Sequence, residues 1–474
     1  MLSIAALAVS CGDKGDNDNN HSESAAPTIA SYSPADGAKD VKPGASVYVE
    51  FDGNISIDAI NGKVTANGEA VSFTKNNQRL VVNGLAIEEG KSYQIVISSG
   101  TVMGYNKEIT WTFASPAADN GGTTTPVGSG DISETCINSG NANTQKLYKF
   151  LYDNYGKKII SGSMANVSLE QNEAALVKKA TGKTPLMQTF DFCFVTLTSE
   201  RSTWEQNSTY QDISYYKDLH DKGGIVSACW HLNVPSKEEY AAKNNVNDQA
   251  TAWSYNTYFS AKNAVTQGTW ENDFLLFAFD KAAEVLLKYK EAGIPVVWRP
   301  FHEASGNATI SGKNEDAWFW WGKDGADAYK KLWIYMFDYF NAKGLDNLIW
   351  VWTSQIGVGS DGSEQWHCSD DTDWYPGKQY VDIIARDNYD KSKVSASITE
   401  YETLSRIWPD KMITLGENGN IAKISEIFTG GGKFSYFMPW YTYNLESLDN
   451  SQHAKTAWWT DAANCNDVLF LEDL

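Results

Sequence analysis

Gly224-Ile225-Val226-Ser227-Ala228-Cys229-Trp230 and Pro295-Val296-Val297-Trp298-Arg299 are two continuous, mostly apolar runs. Between them, Leu275, Leu276, Ala278, Phe279, Ala282, Ala283, Val285, Leu286 and Leu287 recur at helical spacing, and Gly293 stops the pattern. Unbroken apolar runs mark strands buried on both faces, as parallel strands are. An amphipathic helix between two of them makes a β-α-β unit.

The alternation continues in both directions, over about 131 to 474. Further strand-like runs lie at Lys158–Gly162, Pro185–Phe190, Leu348–Trp352, Val381–Ala385, Met412–Leu415 and Ser435–Trp440. Eight such units over about 340 residues predict a (β/α)8 TIM barrel, an α/β fold. An open doubly wound sheet is the alternative, but no Gly-rich phosphate fingerprint follows the first strand.

In such a barrel the chemistry sits where strands end and loops begin. His231 follows the third run. Arg299-Pro300-Phe301-His302-Glu303 closes the fourth, Trp352-Thr353-Ser354-Gln355 the fifth and Arg386-Asp387-Asn388-Tyr389-Asp390 the sixth. Gly416-Glu417-Asn418-Gly419 follows the seventh, and Trp440 ends the eighth. Glu303 and Glu417 therefore stand on strands that face each other across the barrel mouth. Glycosidic cleavage needs such a pair: one carboxylic acid to protonate the leaving oxygen, one carboxylate to attack the anomeric carbon or activate water. A single Glu at a strand end is more simply a loop ion-pair partner; the pair on these two strands is the specific signal.

The residues also have plainer readings. His231 or His302 alone fits a satisfied core histidine, and Arg299 a structural ion pair. Trp320, Trp321, Trp350 and Trp352 read as core before they read as ligand contacts, and Asp387 as an orienting group.

Trp298-Arg299-Pro300-Phe301-His302-Glu303 resembles the fourth-strand motif of family 26 glycoside hydrolases. Trp318-Phe319-Trp320-Trp321-Gly322 resembles that family's aromatic block. Trp350-Val351-Trp352-Thr353, Trp374-Tyr375-Pro376-Gly377, Arg386-Asp387-Asn388-Tyr389 and Leu415-Gly416-Glu417-Asn418-Gly419 match it in order. The resemblance covers about 135 to 474. It implies a retaining endo-β-1,4-mannanase acting by double displacement, with Glu303 as acid/base and Glu417 as nucleophile. It further implies that His231 binds sugar and that His302 contacts the nucleophile or the sugar in subsite −1. Tyr389 would hydrogen-bond the nucleophile, Arg299 would keep it ionised, Trp440 would underlie the −1 sugar, and Trp318 would wall the leaving-group side. No cofactor and no metal are implied. A β-1,3-xylanase or mixed-linkage glucanase on the same scaffold, or a non-catalytic surface glycan-binding lipoprotein, are the rival readings. One departure stands out: the polar stretch Ala304–Ala317 separates Glu303 from the aromatic block. An insertion there bears on the leaving-group side of the cleft.

Upstream of the barrel, 27–115 reads as all-β. Ser46–Phe51, Leu80–Val82, Tyr93–Ile97 and Ile109–Phe113 are short alternating runs, and Asn61-Gly62, Asn67-Gly68 and Asn83-Gly84 supply turns. An immunoglobulin-like sandwich is expected. Ser33-Pro34-Ala35-Asp36-Gly37 resembles the opening of bacterial Ig-like modules on secreted enzymes; a spacer is the favoured role, glycan binding the other. Residues 116–130 have linker composition.

Residues 1–26 read as an export signal and tether. Ala8-Val9-Ser10-Cys11 resembles a lipoprotein cleavage box, and the polar, acidic run from Gly12 resembles a Bacteroides-type surface-export signal. Lipid on Cys11 would be the only membrane attachment. The cell surface or outer membrane is expected, or secretion with Cys11 free. The net charge of −20 excludes phosphate backbones as partners, so no nucleic acid is expected. It suits a neutral polysaccharide, β-mannan, bound by a monomer. Aromatic residues are 13% of the chain, with 18 Trp and 24 Tyr, which fits either a large aromatic core or sugar-stacking surfaces. The cysteines show no metal-site spacing. Cys136 and Cys465 flank the barrel and are the candidates for a staple across its ends.

Overall fold

The structure, a computed structural model, describes residues 26–39, 41, 47–58, 61–83, 85, 87–88, 90–115, 132–196, 210–241, 250–357 and 370–474. Cys11, the tether after it, Gly84 and the 116–130 stretch lie outside them. The chain divides into two compact units, Met1–Thr124 and Thr125–Leu474.

The second unit is the expected barrel. Its parallel strands are β1 (Ile159–Met164), β2 (Met187–Asp191), β3 (Ile225–Trp230), β4 (Val296–Pro300), β5 (Leu348–Ser354), β6 (Ile383–Tyr389), β7 (Met412–Gly419) and β8 (Tyr436–Phe437). Their order in the sheet is β7-β6-β5-β4-β3-β2-β1-β8. Closure comes from a parallel bridge between Asn418 and Pro439, reinforced by Asn418 N donating to Met438 O at 2.9 Å. All six residues of β3 and all eight of β7 are buried, as strands covered on both faces should be.

The helix between β3 and β4 runs Trp270–Glu291. Thr269 caps it by accepting from the Asn272 N–H at 3.1 Å, and Gly293, at φ 74°, ends it in a left-handed turn. Its apolar stripe enters a core that holds Trp298, Trp320, Trp321, Trp333, Trp350 and Trp352, each at most 1% exposed. The core reading of Trp320, Trp321, Trp350 and Trp352 therefore holds.

Several strand ends differ from the sequence reading: β1 runs on to Met164, β5 to Ser354 and β7 to Gly419, and the sixth and eighth also depart from it. The sixth strand was expected to stop at Ala385, yet it continues through Arg386-Asp387-Asn388-Tyr389. Polar side chains survive inside a buried strand because they are paired: Arg386 Nε lies 3.3 Å from Glu400, which also takes Lys391. The eighth strand is only Tyr436–Phe437. Cys136 and Cys465 are not bridged; both are free thiols.

The first unit is an antiparallel sandwich, as expected. One sheet orders Ile29–Ser33, Val47–Phe51, Arg79–Asn83 and Ser72–Asn76; the other orders Glu69–Ala70, Val64–Ala66, Ser92–Ile97 and Ile109–Ala114. Strict alternation points Val49, Leu80, Ile95, Trp111 and Phe113 into one core. Asn67 and Gly68, both at positive φ, form the tight turn between Val64–Ala66 and Glu69–Ala70.

Candidate active site

The C-terminal ends of the barrel strands meet in a polar cluster with a buried floor. On the floor lie Asp191 of β2, Arg299 of β4, His302, Asp387 of β6 and Glu417 of β7. Glu303, His231, Tyr389, Trp318 and Trp440 are half-buried above it. Every residue singled out from the sequence is thus at this end, and His231, Arg299, His302, Glu303, Tyr389, Glu417 and Trp440 are tied to one another by short contacts or electrostatic coupling.

Arg299 organises the floor. Its guanidinium bonds Asp387 at 3.2 and 2.9 Å and also donates to Glu417 Oε1. Burial works against its charge, but the two carboxylates outweigh that and push its pKa up. A two-pronged guanidinium between two carboxylates fixes both in orientation. Tyr389 donates its hydroxyl to the other oxygen, Glu417 Oε2, at 2.8 Å. Burial and the Glu417 charge push the Tyr389 pKa up, so the phenol stays a donor. His302 Nε2 lies 3.4 Å from Glu417 Oε1. Glu417 is therefore approached by donors on both oxygens.

Glu303 sits differently. Burial raises its pKa well above the usual carboxylate value, and the charges of Asp387 and Glu417 add to the rise; Arg299 opposes it. A hydrogen bond joins its carboxyl to Asp387. A protonated Glu303 donating to an ionised Asp387 satisfies both observations. The two carboxyls singled out from the sequence thus have different surroundings: Glu417 accepts from Arg299 and Tyr389, while Glu303 is raised by burial and the nearby carboxylates.

The backbone that presents Glu303 is strained. Phe301 and Glu303 have φ of 46° and 54°, in the left-handed region that side chains with a Cβ disfavour. Their turn is tied from below: the Trp321 indole donates to His302 O at 2.8 Å and the Tyr329 hydroxyl to Phe301 O at 3.1 Å. Trp321 thus holds the chain beside Glu303 rather than touching anything in the cleft. The polar stretch Ala304–Ala317 includes a short helix, Ala308–Ser311, and packs Gly306 closely under Trp318.

A chain of imidazoles reaches Glu417 from the other side. Asp191 Oδ2 lies 2.6 Å from His231 Nδ1, and His231 Nε2 lies 3.0 Å from His302 Nε2. Burial pulls the His231 pKa down, but Asp191 and Glu417 reverse this, and the net shift is upward. His302 goes the other way: burial, Arg299 and His231 hold it well below the usual value. A charged His231 donating to a neutral His302 fits both. Trp440 meets His231 edge-on, at 5.6 Å between ring centres. Asp191 escaped the sequence reading although it ends the second strand, where the strand-end rule would have found it. Asp191, Cys229 and His231 also lie close enough together for a metal ion, but His231 already spends both nitrogens on Asp191 and His302.

Comparisons with known proteins agree with this geometry. Residues 136–466 match the model of glycosyl hydrolase family 26, and 23–123 match that of a bacterial Ig-like domain. Mannan endo-1,4-beta-mannosidase B of Piromyces sp. is 30% identical over 404 residues, which cover 82% of this chain and 62% of that enzyme. The chain spans about half the length of the Piromyces enzyme A, 48%, at 29% identity. Among solved structures, the GH26 domain of a Prevotella bryantii endo-beta-mannanase/endo-beta-glucanase is 39% identical with a TM-score of 0.64, covering 72% of this chain and 99% of that one. A beta-mannanase from a symbiotic protist of the termite Reticulitermes speratus, complexed with gluco-manno-oligosaccharide, is 31% identical with a TM-score of 0.58, covering 72% and 98%.

Proposed function

The chain belongs to glycosyl hydrolase family 26, and from that premise we propose that it is an endo-acting β-1,4-mannanase that retains anomeric configuration. The observation that carries this reading is two carboxyls with unlike surroundings in one cluster: Glu417 accepts from Arg299 and Tyr389, while burial and the Asp387 charge raise the Glu303 pKa well above the usual carboxylate value.

In the proposed mechanism Glu417 attacks the anomeric carbon of the −1 mannosyl unit as the bond to the leaving oxygen breaks. Glu303 gives its proton to that oxygen. A mannosyl ester forms on Glu417. Glu303, now a carboxylate, takes a proton from water, and the hydroxide equivalent displaces Glu417 from the sugar. Arg299 and Tyr389 hold Glu417 oriented for attack by donating to its two oxygens and receive it again as leaving group. His302 accepts from His231 and lies beside Glu417, His231 and Trp440 form the wall around the −1 sugar, and Trp318 lines the leaving-group side. No residue here needs a metal or organic cofactor for these steps.

Galactomannan, xylan and lichenan, each digested and resolved by product length, test the substrate. Mannan is expected to give short manno-oligosaccharides, with Glu417→Ala losing turnover by about four orders of magnitude. Undiminished hydrolysis by Glu417→Ala would end the assignment; release of products from xylan or lichenan alone would move the enzyme to another substrate.

The Ala8-Val9-Ser10-Cys11 box supports a lipid anchor on Cys11 and a place on the cell surface, with the Ig-like unit as spacer. Labelling of the wild type but not Cys11→Ser with a fatty-acid probe checks the anchor.

A further inference from the structure

A staircase of aromatic rings climbs from the catalytic wall to the surface. Trp321 stacks on Phe319 with ring centres 4.5 Å apart and planes 18° apart. Phe319 stacks on Trp253 at 5.2 Å and 27°, and Trp253 on Tyr255 at 6.0 Å and 30°. Exposure rises along it: Trp321 0%, Phe319 4%, Trp253 45%, Tyr255 75%. Its inner end touches the site, since Phe319 meets His231 at 5.4 Å.

The outer steps are held in place. Trp253 and Phe319 form a backbone bridge, Ser254 N donates to Trp318 O at 2.8 Å, and Trp320 N donates to Ala252 O at 3.0 Å. Lys323 closes the turn by donating to Thr257 O at 2.7 Å. The backbone that carries these exposed rings is therefore tied down, which lowers the ordering cost of a ligand that lies on them. Trp and Tyr kept in water on a rigid loop, contiguous with a cleft, mark a binding surface. A pyranose offers a flat face of C–H bonds to such rings.

We propose that Trp253 and Tyr255 form a remote sugar-binding platform that grips the mannan backbone beyond the units flanking the scissile bond. The proposal rests on the mannanase reading above and adds where that enzyme gains its preference for long chains. No charge takes part, which matches a neutral polysaccharide.

The test uses the full chain. Wild type, Tyr255→Ala, Trp253→Ala and Tyr255→Phe are compared for kcat/KM on mannohexaose and on an aryl β-mannobioside, with thermal melts to check folding. The ratio of the two values is expected to fall about tenfold in Tyr255→Ala and Trp253→Ala. Tyr255→Phe, which keeps the ring, should hold the ratio within about twofold of wild type. An unchanged ratio in both alanine variants overturns the platform while leaving the mannanase reading intact. A wild type inactive on both substrates overturns both readings. Sedimentation at assay concentration tests the rival occupant: dimerisation abolished by Tyr255→Ala would assign the rings to a second copy of this chain and overturn the proposal.

Discussion

Glu303 and Glu417 differ in chemistry because their neighbours differ. Arg299 and Tyr389 donate to Glu417, whereas burial and the charge of Asp387 push the Glu303 pKa well above its ordinary value. The acid must be protonated to donate, so activity should fall as pH rises through that raised pKa. Glu303→Gln is expected to remove this alkaline limb and to slow mannan hydrolysis by about 10²- to 10⁴-fold, while sparing glycosylation by activated aryl glycosides. A pH profile of kcat/KM for both proteins checks it; an alkaline limb unchanged in Glu303→Gln would give the limb to another group. At this scale the sequence was most informative: the strand-end rule found the carboxyls, His231 and Tyr389. The floor was harder to see. The strand-end rule reaches Asp191 itself, but its pairing with His231 and that of Asp387 with Arg299 join strands apart in sequence, and spacing along the chain does not encode those pairings.

The turn from β4 into the Glu303 loop is where an element does work on the site. Two residues in the left-handed region each cost about 1–3 kcal/mol, and the structure must over-determine them to keep them there. The Trp321 indole and Tyr329 hydroxyl do so through the His302 and Phe301 carbonyls. Trp321→Phe keeps the buried ring but loses the donor, leaving His302 O unpaired. We expect kcat to fall about tenfold with little change in KM, since the residue positions Glu303 and does not touch sugar. An equal rise in KM with kcat unchanged would instead place Trp321 at the substrate. The sequence marked the 318–322 block as a family signature and its inner tryptophans as core, but not which carbonyl each holds. Strand ends were the other gap: periodicity stops at Ala385 because Arg386-Asp387-Asn388 is polar, and only the partners Glu400 and Arg299 explain how that segment stays in β6.

The barrel as a whole is closed partly by contacts between the helix after its first strand and its last helix. Glu173, in helix Asn172–Thr181, is fully buried and accepts from the Trp459 indole of helix Thr456–Asn464 at 3.3 Å. Burial pushes its pKa up to about 8. In the unfolded chain it titrates near its ordinary value, so between about 4.5 and about 8 the unfolded state sheds a proton that the folded state keeps. Stability from this group is complete below that window and is lost as pH rises through it, by on the order of a few kcal/mol. Glu173→Gln should therefore raise Tm at pH 8 and change it little at pH 4; an equal Tm at both pH values would show that the carboxyl is not buried protonated. The architecture was legible because β-α alternation and the Asn-Gly turns are local signals, and the Ig-like sandwich followed from the same kind of evidence. Shorter strands of that sandwich, such as Val64–Ala66 and Glu69–Ala70, are too brief for alternation to register.

The central claim is that one carboxylate becomes covalently bonded to sugar during turnover. The direct measurement is to incubate the protein with 2-deoxy-2-fluoro-β-mannosyl fluoride, which slows release of the glycosyl ester, and to map the labelled peptide by mass spectrometry. The account predicts a single fluoromannosyl adduct on Glu417, with the Glu303 peptide unmodified. An adduct on Glu303, or no adduct on an enzyme that still hydrolyses mannan, would contradict it.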